Sequence, residues 1–188
     1  MSTYALNPAL KILIVTNSLI LLAGAMLGPI YALFVDDIGG SLLDVGWAGG
    51  VYALVAGITI YFSGRLSDKV KERELLVVAG YAILGVGFLL YLLVDSIWML
   101  LITQAVIGFG EATYTPSFDA LYSKNLNKKR AGSGWGAWEA MYYFTTAAGA
   151  ILGGVIAHTY GFTPLFIIMA ALCLISATYI YLLPRQAL

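Results

Sequence analysis

The chain has 188 residues, 61% of them hydrophobic and only 11% charged, with ten basic and ten acidic side chains. Soluble domains carry about 25% charged residues, so this composition excludes a water-solvated globule and predicts a polytopic membrane protein with lipid as its solvent. A net charge of zero with no basic tail gives no sign of a nucleic-acid partner, and the single cysteine, Cys173 within an apolar run, excludes an intrachain disulfide.

Six apolar runs are long enough to cross a hydrocarbon core of roughly 30 Å, which takes about 20 helical residues. Helices are required because open strand edges do not survive in lipid. The expected fold is therefore all-α, a single six-helix domain over residues 1–188. The first span, Lys11–Phe34, exceeds the roughly 7–15 apolar residues of a signal peptide and lacks a basic cluster before it, so it is expected to be retained. It carries Asn17, then Gly24, Gly28 and Pro29, and then Tyr31. The second, Val45–Gly64, opens Gly46-Trp47-Ala48-Gly49-Gly50-Val51-Tyr52. A charged stretch follows, Gly64-Arg65-Leu66-Ser67-Asp68-Lys69-Val70-Lys71-Glu72-Arg73, which is expected to turn the chain at a membrane surface before the third span, Leu75–Val94.

The fourth span, Ile97–Phe118, holds Gln104, Gly108, Gly110, Glu111, Tyr114 and Pro116, with Asp119 just beyond. Glu111 is its most informative residue, since an unpaired carboxylate in hydrocarbon costs several kcal/mol. It is expected to face a water-filled cavity, to pair, or to carry a proton; a protonated side chain bonded between helices is the plain structural alternative. The fifth span, Gly134–His158, begins Gly134-Trp135-Gly136-Ala137-Trp138 and continues with Glu139, Tyr142 and Tyr143. Its Gly149-Ala150-Ile151-Leu152-Gly153-Gly154 stretch permits close helix contact. Glu139, near the basic end of its span, either faces a cavity or snorkels to the surface. The sixth span is Thr163–Leu183, and the longer connections cover about 65–74 and 119–133.

The second and fifth spans share their Gly/Trp openings, and the first and fourth share glycines followed by proline. Two three-helix repeats, near 11–94 and 97–183, are expected, inverted because an odd number of crossings separates them. Chance likeness between Gly- and Trp-rich helices is the alternative. Lys11, Arg65, Lys69, Lys71, Arg73, Lys124, Lys128, Lys129, Arg130 and Arg185 all fall on one side, and the opposite connections hold no cation. The positive-inside rule makes that side cytoplasmic, with both termini inside a cytoplasmic membrane. Phosphate loops, metal-ligand clusters and nucleophile-base pairings are absent from the sequence, so neither an enzyme, a cofactor nor a metal site is expected. Trp98, Tyr179, Tyr181 and His158 sit where interfacial anchors belong.

The Gly-x-Leu-Ser-Asp-Lys core at residues 64–69 resembles the signature cytoplasmic loop of the major facilitator superfamily of transporters. Lys71 and Glu72 depart from it, standing where the family usually has glycine and a basic residue. The fourth span resembles the family's fourth helix, with Gln104 replacing an arginine, which argues against a fixed positive site for an anionic solute. Gly149–Gly154 resembles an antiporter element, but Ala150 replaces its proline and no antiporter assignment follows.

The resemblance implies that Gly64, Arg65, Leu66, Asp68, Lys69 and Arg73, with Asp119 and Arg130, form a latch on the cytoplasmic face. It also implies that spans one, two, four and five line a solute cavity. Asn17, Tyr31, Tyr52, Gln104, Glu111, Tyr114, Trp138, Glu139 and Tyr142 then become its candidate residues, and Gly149, Gly153 and Gly154 its packing residues. The family is normally two six-helix halves. The expectation is therefore a half-size secondary transporter of a small solute, working as a homodimer by alternating access with proton coupling through Glu111. Asp68 of one copy would meet Ser133–Gly134 of the other. The alternative is a non-autonomous half or fragment, or a scaffold subunit that transports nothing.

Overall fold

The computed structural model describes residues 7–184 and 187–188; Arg185, one of the expected inner cations, lies outside the described residues. Among the described residues six helices are long and apolar enough to cross a membrane: α1 Pro8–Asp37, α2 Leu42–Lys69, α3 Arg73–Leu93, α4 Ile97–Asn125, α5 Lys128–Tyr160 and α6 Phe162–Leu182. No strand occurs among the described residues. Local chemistry sets the ends. Asn7 accepts the Ala9 amide at 3.2 Å ahead of Pro8, and Asp44 accepts both the amide and the hydroxyl of Ser41 at 2.8 and 2.7 Å at the start of α2. α5 and α6 are joined by Gly161 alone, at φ 81°, a conformation that only glycine adopts cheaply.

The helices outrun the apolar runs. α2 continues through Gly64 to Lys69, and the chain reverses over Val70–Glu72, so most of the expected charged turn is the last turn and a half of a helix. α4 passes Pro116 and Asp119 to Asn125, and the expected 119–133 connection shrinks to Leu126–Asn127 and the 3-10 turn Lys128–Arg130 that leads into α5. Hydropathy marks where lipid ends, whereas backbone hydrogen bonding continues wherever packing supports it. Ser63 and Ser67, one turn apart, are both buried against α4. α1 is interrupted by the 3-10 turn Gly28–Ile30, where Pro29 cannot donate to the helical ladder.

α2 packs on α4 and α5 on α1; α3 packs on α4, α6 on α1, and α3 and α6 on each other. These main pairings are unchanged when α1 is exchanged with α4, α2 with α5 and α3 with α6. Glycines set the close crossings, as expected where lipid supplies no hydrophobic drive between helices. A Cβ on Gly108 would stand 2.5 Å from the Tyr52 carbonyl on α2, and one on Gly80 of α3 would stand 2.7 Å from the Gly110 carbonyl on α4. One on Gly153 would stand 1.9 Å from the Met26 carbonyl on α1. α2 and α5 are the least buried of the six, presenting Leu54, Ile58 and Phe62, and Phe144, Ile151 and Val155, outward.

Candidate functional site: a tyrosine-lined cavity around Glu111

Between the helices lies a cavity of about 390 Å³ whose polar lining is Tyr31 on α1, Tyr52 on α2, Tyr91 on α3, Glu111 and Tyr114 on α4, and Tyr142 and Thr146 on α5. Gly24 and Gly28 leave it open on the α1 side, where an added Cβ would meet nothing within 4 Å. Tyr52 donates its hydroxyl hydrogen to Glu111 Oε2 at 2.6 Å. The close α2/α4 crossing at Gly108 makes this reach possible, because it brings the Tyr52 backbone onto α4 one turn before Glu111. Among the described residues no lysine or arginine lines the cavity.

Gln104 sits behind this lining, buried, and donates through Nε2 to Tyr31 at 2.7 Å and Tyr91 at 3.0 Å. Each phenol oxygen therefore accepts from Gln104, which leaves its own hydrogen to point elsewhere. The site thus offers a carboxylate, partly satisfied by Tyr52, and two phenol hydroxyls free to donate. Tyr91 stacks on Phe166 at 4.8 Å and meets Phe34 edge-on at 5.4 Å, so an aromatic cluster fixes the ring.

Asn17 does not line the cavity. It is buried beneath it, donating to the Tyr81 hydroxyl at 3.2 Å and accepting from Trp138 Nε1 at 3.2 Å, which ties α1, α3 and α5 together. Trp138 also stacks on Tyr142 with ring centres 6.0 Å apart, so both hold the wall while only Tyr142 reaches the cavity. Glu139 is exposed on α5 away from the cavity, and Tyr143 is exposed beside Tyr142. Gly149 and Gly153 pack on α1, whereas Gly154 has open space around it.

The lining is not confined to spans one, two, four and five. α3 contributes Leu84, Phe88 and Tyr91, and α6 contributes Met169. Tyr91 lies near a helix end, and only packing brings its hydroxyl onto Gln104. Tyr81 carried a usable signal, since a tyrosine in mid-span needs a partner for its hydroxyl.

At the basic end, Gly64 faces Pro116 of α4. The Arg65 guanidinium lies over the Tyr61 ring, 4.2 Å from its centre, and bonds the Tyr61 hydroxyl. Arg73 gives its Nε–H to the Ser67 carbonyl at 2.9 Å, capping the end of α2. Leu66, Asp68, Lys69 and Asp119 are exposed, and among the described residues no ion pair joins Asp68, Arg73 and Asp119. Arg130 lies in the 3-10 turn that opens α5.

The chain's sequence is similar to that of curated relatives. The chain is 27% identical to a multidrug resistance protein, MdtG, of Salmonella schwarzengrund strain CVM19633 over 179 residues, covering 92% of this chain and 44% of the relative. It is 26% identical to the protein of the same name from Salmonella arizonae over the same shares. The chain thus spans less than half the length of the curated relatives it matches. The family model described as Major Facilitator Superfamily matches residues 13–187, nearly the whole of the six-helix bundle, and the chain belongs to that superfamily.

Proposed function

We propose that this six-helix unit forms one wall of an alternating-access path for a small amphipathic solute bearing a cationic or strongly donating group. The observation that carries this reading is the Glu111–Tyr52 pair, facing a cavity of about 390 Å³ whose lining, among the described residues, holds five tyrosines and no basic side chain. A carboxylate flanked by aromatic faces attracts cations, and the free hydroxyls of Tyr31 and Tyr91 offer donors to an acceptor on the same solute. Glu111 is also the group that would exchange a proton during the cycle. The relatives' name, multidrug resistance protein, is in keeping with a broad amphipathic solute range.

The exposed faces of α2 and α5 favour a second six-helix unit as the opposite wall. In the homodimer reading it is a second copy about a two-fold axis along the membrane normal, with Asp68 of one copy near Ser133–Gly134 of the other. The relatives' greater length favours a second reading, in which a distinct complementary half takes that place. In both, the basic end faces the cytoplasm of a multi-pass membrane protein.

The test is binding to the purified chain in detergent by phenyltrimethylammonium, its neutral isostere tert-butylbenzene and the anion benzenesulfonate. The cation is expected to bind best, and Glu111→Gln to remove its advantage over the neutral isostere. Equal binding of the anion would refute the reading. Disulfide-linked dimers from paired Asp68→Cys and Ser133→Cys are expected for a homodimer; their absence selects the complementary half.

A further inference from the structure

Pro116 lies inside α4, where it has no amide hydrogen to give to the carbonyl four residues earlier. That carbonyl belongs to Ala112, the neighbour of Glu111, and Ala112 is 2% exposed. A buried carbonyl needs a partner, because leaving it bare forfeits a hydrogen bond that water would otherwise supply. The nearby hydroxyl on α4 itself is committed elsewhere: Thr115 Oγ1 donates to the Glu111 carbonyl at 2.7 Å.

The donor comes from α2. Ser63 Oγ lies 2.5 Å from the Ala112 oxygen and 3.3 Å from the Ile60 oxygen of its own helix. A hydroxyl carries one hydrogen, and the shorter contact takes it. The neighbouring rungs of α2 also meet α4. A Cβ on Gly64 would stand 4.0 Å from Pro116 Cβ, and the Ser67 and Ser117 hydroxyl oxygens are 3.0 Å apart.

We infer that Ser63 is a positioning residue: it stands in for the amide that Pro116 lacks, and by holding the Ala112 carbonyl it fixes how the adjoining Glu111 carboxylate meets Tyr52. Two donors on α2 thus grip successive residues of α4, Tyr52 on the side chain of one and Ser63 on the backbone of the next. Membrane helices tolerate proline where a side chain re-satisfies the freed carbonyl, and here that side chain comes from the helix that also carries the partner of the site's carboxylate. The inference goes beyond the transport reading and stands whether or not the unit moves a solute.

The test is a double-mutant cycle on the full chain in detergent, with Ser63→Ala, Pro116→Ala and the two combined. One readout is the unfolding equilibrium. The other is the infrared carboxyl band assigned to Glu111 by its loss in Glu111→Gln. Ser63→Ala is expected to lower the folding equilibrium roughly five- to hundredfold with Pro116 present, and by less than about fivefold in the Pro116→Ala background, where the backbone amide is restored. It should displace the Glu111 band only in the first case. Ser67→Ala, which removes a neighbouring hydroxyl, should cost the same in both backgrounds and leave the band in place. Equal losses from Ser63→Ala in both backgrounds, or an unmoved band, overturn the inference. If Pro116→Ala does not fold, Ser63→Thr takes its place. It keeps the hydroxyl and should hold the wild-type band, and a Ser63→Thr protein as perturbed as Ser63→Ala overturns the inference equally.

Discussion

Gly153 and Gly154 are adjacent on α5, and the structure assigns opposite consequences to giving each a methyl group. At Gly153 the new carbon would stand 1.9 Å from the Met26 oxygen and 2.6 Å from its Cα, both backbone atoms that cannot swing aside. At Gly154 nothing lies within 4 Å. An alanine in a helix is worth up to about 1 kcal/mol over glycine, and both substitutions gain this. At Gly153 even a tight contact requires α1 and α5 to part by about 1 Å, a gap that forfeits a quarter to a half of the dispersion attraction across the crossing. Overpacking of this kind costs about 1–3 kcal/mol or more. Since α5 makes most of its contacts with α1, little else compensates. Gly153→Ala should therefore destabilise by about 2 kcal/mol net, while Gly154→Ala should be neutral or stabilising by up to about 1 kcal/mol. For a chain of this size the difference corresponds to roughly 5–10 °C in melting temperature, measurable by circular dichroism in detergent. Equal shifts for the two variants would refute the packing argument.

Gly108→Ala should act on the site at a distance of one turn. Its methyl group would stand 2.5 Å from the Tyr52 carbonyl and push α2 off α4, so it should break the Tyr52–Glu111 bond much as Tyr52→Phe does. Each is expected to cost about 1.5–3 kcal/mol by chemical unfolding, and the pair together should cost little more than the larger alone; full additivity would disprove the link. Gln104→Leu removes the donor shared by Tyr31 and Tyr91 and leaves the half-buried Tyr31 hydroxyl and the buried Tyr91 hydroxyl to find other partners. A loss of about 1–3 kcal/mol is expected, together with weaker binding of the phenyltrimethylammonium probe as the two rings lose their fixed orientation. Unchanged stability and binding would show that Gln104 holds neither ring.

Part of the site was legible in the residues alone. A carboxylate in mid-span is costly, which points to Glu111 from the residues alone, and Tyr52, Tyr31, Tyr114 and Tyr142, candidates beside it, line the same cavity. Tyr91, Phe88 and Met169 were missed, because α3 and α6 were expected to lie outside the cavity. Asn17 and Trp138 were named but brace the wall instead of lining it, and Glu139 points away. Ser63 left one faint trace, a proline elsewhere in the chain whose missing amide had to be replaced by something.

What the chain's sequence by itself determined was the number of spans, their all-helical character, the confinement of lysines and arginines to the chain ends and alternate connections between spans, and membership of the superfamily. In lipid, apolar length and complete backbone hydrogen bonding leave one solution, and both are written linearly along the chain. Which side chains share the cavity was decided only by tertiary structure. Membrane helices are apolar almost all round, so no amphipathic stripe announces the face that each turns inward. Their rotation and crossing are set where glycines admit a neighbouring backbone, as at Gly108 and Gly153. Those contacts join residues far apart in sequence, and only their sum brings Tyr52 onto Glu111 and Gln104 between Tyr31 and Tyr91.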